Sequence, residues 1–200
     1  VSSTIYLEGG GDAKDLQVRC RKGFNALLQS CGFAGRMPRL VASGGRETAL
    51  SDFKTAHAGS AATDFVAMLI DSEEPVEDVE ETWRHLAARD DWPRPEGAQD
   101  DQVLFMTTCM ETWIVGDRKT LSAHYGPKLQ ASALPSLQNL EQRRRDEVQK
   151  ALTRATRNCT NAYAKGERSF RVLAKLDPET LEAHLPSFAR MRRILNDKLE

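Results

Sequence analysis

No apolar run in this chain approaches the roughly 20 residues that a bilayer-spanning helix needs, so an integral helical membrane protein is excluded. Cysteine is sparse: Cys20, Cys31, Cys109 and Cys159 stand far apart with no C-x-x-C pair. That spacing excludes both a structural zinc site and a thioredoxin-type redox motif, and it predicts buried free thiols. The four histidines, His57, His85, His124 and His184, form neither H-E-x-x-H nor H-x-H, so a histidine-centred zinc site is not expected either. The chain also lacks G-x-S-x-G, G-x-G-x-x-G and G-x-x-x-x-G-K-[ST]. Serine-hydrolase chemistry thus has no support, and any ATP hydrolysis in the same system must come from a partner. The first residues show no basic stretch followed by an apolar core, so no signal peptide is visible and the cytoplasm is the expected compartment.

What is present is an ordinary globular composition, 40% hydrophobic and 28% charged over 200 residues, enough for one core with a helical appendage. The net charge of −1 hides an uneven distribution. Asp71 to Asp101 holds 12 acidic against 3 basic residues, and Glu141 to Glu200 holds 14 basic against 9 acidic. This polarity suits cations near the middle and an anionic ligand on the C-terminal part, and it also suits plain solvated surface.

Hydrophobic patterning predicts strands at Thr4–Leu7, Pro38–Ala42, Phe65–Ile70 and Gln102–Thr107. Helical spacing separates them: Lys14–Ser30, a helix after Ser43-Gly44-Gly45, and Val76–Arg89. The run Phe65 to Ile70 shows no alternation, as expected of a strand buried on both faces. The alternation predicts an α/β fold: an open, mostly parallel four-stranded sheet with helices on both faces, over residues 1–117. Residues 118–200 carry only helical signals and read as a C-terminal helical extension packed on that sheet. Among them are a long polar helix from about Ser136 to Cys159 and a helix start at Asp177-Pro178.

The first strand runs into Glu8-Gly9-Gly10-Gly11-Asp12, and the third ends in Asp71-Ser72-Glu73. Loops at the carboxyl ends of parallel strands form the site crevice of an open sheet, so these acids can meet around one divalent metal. Hard Mg²⁺ or Mn²⁺ takes oxygen ligands, and the glycines allow close approach of backbone to a phosphate. The plainer use of the same residues is also open: a tight turn capped by Asp12, with Asp71 and Glu73 capping the following helix.

With Glu8-Gly9 as the first element and Asp71-Ser72-Glu73 as a D-x-D pair ending in Glu, the chain resembles the Toprim family of topoisomerases, primases and overcoming-lysogenization-defect nucleases. Tyr6 to Asp12, Asp71, Met110-Glu111-Thr112-Trp113, Lys165, Ser169-Phe170, Leu176-Asp177-Pro178 and Leu185 to Phe188 extend this to a narrower resemblance. It is to small Toprim-like proteins of the DUF4276 or RloB-like type, encoded beside AAA or ABC-type ATPases in bacterial defence loci. The resemblance implies a Toprim-like fold, with Glu8 as acid/base or metal carboxylate and Asp71 and Glu73 as metal ligands. Asp12 and Glu111 are candidate supporting acids at the same sheet edge.

The expected function is a Mg²⁺- or Mn²⁺-dependent nuclease acting as an anti-phage effector with a neighbouring ATPase. The alternative is a catalytically silent regulatory subunit of that ATPase. Candidate nucleic-acid contacts are Lys14, Arg46, Arg143, Lys150, Arg154, Arg157 and Lys165. Four of them, Arg143, Lys150, Arg154 and Arg157, are expected on one face of the long helix, where a solvated surface stripe is the competing role.

Overall fold

The structure is a computed structural model describing residues 2–199. Its four strands, β1 (Ser3–Gly10), β2 (Arg39–Gly44), β3 (Phe65–Asp71) and β4 (Val103–Met106), form one sheet in the order β2-β1-β3-β4. Every pairing is parallel, with Leu7 beside Ala42 and Leu69, and Asp71 beside Met106. The first helices are α1 (Lys14–Leu28), α2 (Arg46–Gly59), α3 (Thr82–Asp90), α4 (Met110–Gly116) and α5 (Arg118–Tyr125). After them come α6 (Arg145–Thr156), α7 (Glu167–Leu173), α8 (Pro178–His184) and α9 (Pro186–Lys198). Among the described residues no helix is long and apolar enough to cross a membrane.

Alternate residues of each strand point to opposite faces, and the two cores sort by that parity. Ile5, Leu7, Ala67, Leu69, Leu104 and Met106 meet Phe24 and Leu27 of α1, Trp113 of α4 and Phe188 of α9. Val66, Met68, Ile70, Val103 and Phe105 meet Phe53 of α2 with Trp83 and Leu86 of α3. Hence β3 is buried along its whole length, and its lack of alternation is explained. The first core runs without interruption from Ile5 to Leu199, so the C-terminal helices complete it. At its centre Trp113 stands edge-on to Phe24 and Phe188, at centroid distances of 6.5 and 4.9 Å. Truncating such a buried aromatic costs about 3–5 kcal/mol.

Two expected helices are shorter than the periodicity predicts. The helix expected over Val76–Arg89 begins at Thr82, because Asp100, 18 residues on, accepts hydrogen bonds from the Trp83 amide (2.9 Å) and the Thr82 hydroxyl (3.2 Å). Upstream of that start, Glu80 is drawn away to accept from Nε of Arg190 on α9 (3.1 Å). The helix expected over Ser136–Cys159 is α6 alone. Before it, Asn139 is left-handed (φ 53°), and a 3₁₀ turn at Leu140–Gln142 buries Glu141 under the first turn of α9, where Ser187 donates through its amide and hydroxyl. Arg143 therefore lies off the helix that carries Lys150, Arg154 and Arg157, and its carbonyl accepts from the Thr108 hydroxyl (3.2 Å). Helix α5 is not among the expected elements. Buried Asp117 starts it by accepting from the Thr120 amide (2.9 Å), while its other oxygen holds the Asp177 amide (2.9 Å) before α8.

Candidate metal centre

The end of β1 is shaped by glycine. Glu8, Gly9 and Gly10 all pair against Gly44, so the strand bulges as it leaves the sheet. Gly44 has φ 84°, and a Cβ there would lie 2.6 Å from the Gly11 carbonyl oxygen; one on Gly10 would lie 2.8 Å from the Gln17 Cα. Only bare backbone fits between these two strand ends and the start of α1. Gln17 fastens the turn by donating from Nε2 to the Gly11 carbonyl (2.9 Å).

This bulge places Glu8 at the end of β3, where its Oε2 accepts from the Asp71 amide (3.0 Å). Asp71 in turn uses Oδ1 to accept from the Met110 amide (2.9 Å), the first residue of α4. Two residues on, Glu73 takes a left-handed conformation (φ 67°) and donates its own amide to the Thr108 carbonyl (2.9 Å), which turns its carboxylate back toward the sheet. The result is a cluster in which Glu8, Asp71 and Glu73 each present a carboxylate oxygen within 4.8 Å of the others. Neither Asp71 nor Glu73 caps α3, and Ala13, not Asp12, occupies the N-cap of α1 with no side-chain cap, so the plainer use of these acids and of Asp12 is not realised.

Burial raises the Glu8 carboxyl above its ordinary value, against the hydrogen bond from Asp71 and the nearby charges of Arg46, Arg145 and Lys165. Asp71 is raised well above the usual carboxylate range, first by burial and then by repulsion from Glu8 and Glu111. Two shielded acids that repel each other are a site in want of positive charge. The donors are all oxygen, the preference of hard Mg²⁺ and Mn²⁺, so the residues present fit such an ion. Part of the charge is already met from the protein: Arg145, first residue of α6, forms an ion pair with Glu73 and stands 3.6 Å from Asp71 Oδ2. Arg89 reaches Glu73 from the other side at 3.9 Å.

Glu111 is 3% exposed and lies outside the three-acid cluster. Its carboxylate accepts from the Tyr163 hydroxyl and from Nε2 of Gln149 (3.2 Å), and it forms part of the wall of a cavity of about 370 Å³ onto which Glu8 and Asp71 open. Asp12 and Lys165 line the same cavity. Arg46 is turned to brace the strand end: Nε donates to the Asp71 carbonyl (3.1 Å), the guanidinium pairs with Asp90 (2.8 Å), and it stacks over Trp92 at 4.4 Å. Lys14 is exposed at the start of α1, outside the lining. Lys150, Arg154 and Arg157 share a separate, shallow groove along α6, with Lys150 paired to Asp146 (3.0 Å). The four cysteines are free and buried, and burial pushes Cys20 and Cys31 up to about 12.

Arg145 and Tyr163 escape a reading of the sequence. The first is one of three consecutive arginines, 143 to 145, and only the register of α6 singles it out. The second lies in a polar loop with no periodicity to mark it.

A family model described as "Domain of unknown function (DUF4276)" matches residues 7–196. Neither a curated protein nor a solved structure matches the chain.

Proposed function

The chain belongs to the DUF4276 family, and from the site it carries we propose that it is a divalent-metal-dependent nuclease acting as the effector of a bacterial anti-phage system. The observation that carries this reading is the convergence of Glu8, Asp71 and Glu73 within 4.8 Å at the carboxyl edge of a parallel sheet. Mg²⁺ or Mn²⁺ held there would supply charge stabilisation to the attacking and leaving oxygens of a phosphodiester and would lower the pKa of water. Hydrolysis forms one bond from a water oxygen to phosphorus and breaks the bond to the leaving ester oxygen, which takes the proton. Glu8, Asp71 and Glu73 would hold the metal. Lys165, on the cavity wall, attracts the phosphate, and the buried network of Glu111, Tyr163 and Gln149 keeps the floor rigid. The defence role and an ATPase partner encoded nearby rest on the resemblance to RloB-like proteins, and a cytoplasmic setting is proposed with them.

One observation favours the silent, ATPase-associated alternative: Arg145 already meets part of the negative charge of Asp71 and Glu73 from within the protein. The decisive assay incubates the purified protein with plasmid DNA, single-stranded DNA and total tRNA in Mn²⁺, Mg²⁺ or EDTA. Cleavage sensitive to EDTA and lost in Glu8→Gln and Asp71→Asn is the expected result. Full cleavage by both variants refutes the site, and no cleavage with or without the neighbouring ATPase leaves the adaptor.

A further inference from the structure

The cavity beside the carboxylates carries information on what enters it. Its volume of about 370 Å³ corresponds to a sphere roughly 9 Å across. That is near the lower end of the ~300–1,000 Å³ range of small-molecule sites. A B-form duplex is wider than its own ~12 Å major groove and so cannot enter a space of that size whole. Its lining is chemically divided. Glu8 and Asp71 supply anionic oxygens, whereas partly exposed Leu16 and Met110 supply apolar surface, to which buried Met106 and Phe170 add little. An inorganic phosphate or a bare sugar-phosphate chain has no use for that surface; a nucleobase does.

The cation on the wall is placed deliberately. Lys165 is exposed and has no ion-pair partner among the described residues, yet its charge is felt at Glu8. Its loop is fastened on both sides. Upstream, the Tyr163 amide donates to the Thr156 hydroxyl (2.9 Å) and the Tyr163 hydroxyl donates to Glu111. Downstream, the Gly166 amide donates to the Ser169 hydroxyl (3.1 Å) at the start of α7. The two anchors fix where the lysine leaves the backbone, so binding has only the side chain itself left to order. Phe170, one residue beyond Ser169, is buried in the core against the strand end at Gly9 and so anchors the segment that carries the cation.

We propose that this cavity receives one unpaired nucleotide of a single-stranded nucleic acid, its phosphate between the carboxylate cluster and Lys165 and its base against Leu16 and Met110. The inference rests on the nuclease reading and narrows it: the strand must be single, or locally opened, before its phosphodiester reaches Glu8 and Asp71.

The test is binding, measured by fluorescence anisotropy on the whole protein with Ca²⁺ present. The probes are a labelled single-stranded oligonucleotide, the duplex of the same sequence, and a single strand of the same length with abasic positions. The single strand is expected to bind at least roughly tenfold tighter than the other two. Lys165→Ala is expected to lose roughly tenfold on the single strand, with recovery in Lys165→Arg, while Arg21→Ala, an exposed change on α1, binds as the unaltered protein does. Equal affinity for the duplex, equal affinity for the abasic strand, or an unaffected Lys165→Ala each overturns the proposal. Single-strand preference without cleavage removes the nuclease and keeps the pocket. Cleavage with equal binding of duplex and single strand does the reverse.

Discussion

Arg145 makes the strongest demand on the reasoning, because it occupies the charge balance that a metal would take over. Its guanidinium lies 3.6 Å from Asp71 Oδ2 and pairs with Glu73, with 29% of the arginine side chain exposed against 10% and 17% for the two acids. At an effective dielectric near 20, one such contact is worth about 4–5 kcal/mol of Coulomb energy. Desolvation of both partners and the arginine's access to water reduce this to about 2 kcal/mol net, between the exposed and buried limits. Replacing it in Arg145→Met keeps the aliphatic stem and deletes the charge. Without metal, the variant is expected to melt roughly 4–8 °C lower, because the acids are left to repel one another. With Mn²⁺ the sign reverses. The ion no longer competes with a resident cation, so its affinity by calorimetry rises roughly 30-fold, the same 2 kcal/mol expressed as binding. Mn²⁺ affinity that is unchanged or weaker in Arg145→Met refutes the idea that arginine and metal share these carboxylates. Absence of Mn²⁺ binding in both proteins refutes the metal centre itself.

Glu141, buried under the first turn of α9, is raised from 4.5 to about 7 by burial, against its hydrogen bonds from Ser187. A raised folded-state pKa means stability that is complete below pH 4.5 and is lost as pH rises through about 7. By chemical denaturation, Glu141→Gln is therefore expected to gain roughly 3 kcal/mol on the unaltered protein between pH 5 and pH 8, and a pH-independent difference contradicts the assignment. Gly44→Ala drives a Cβ into the Gly11 carbonyl at a left-handed position, and should cost at least about 2 kcal/mol in thermal melts. Gly59→Ala, which meets nothing within 4 Å, is the matched control that should cost nothing, and equal melting of the two rules out the close approach at the strand ends.

The acids were readable because local sequence determines them: an unbroken apolar strand must be buried on both faces, and an acid directly after it must emerge at the sheet edge. The lengths of α3 and α6 were not readable, since remote partners set them. Asp100 starts α3 from across a loop, and the segment before α6 is bent so that Glu141 can reach α9. Periodicity counts faces; it does not see a cap supplied from elsewhere in the fold. The basic stripe shows the same limit, for Arg143 left the helix while Arg145, unremarkable in the sequence, turned inward to Asp71 and Glu73.

Glu8, Asp71 and Glu73 are all present once synthesis has passed Glu73, but Arg145, Tyr163, Lys165 and Phe170 are made later, and the core that holds them includes residues as far on as Leu199. A nascent or prematurely terminated chain thus has carboxylates without their countercharge and without a walled cavity. The countercharge and the cavity wall are thus the last parts of the site to be made, and an incomplete copy carries the acids alone.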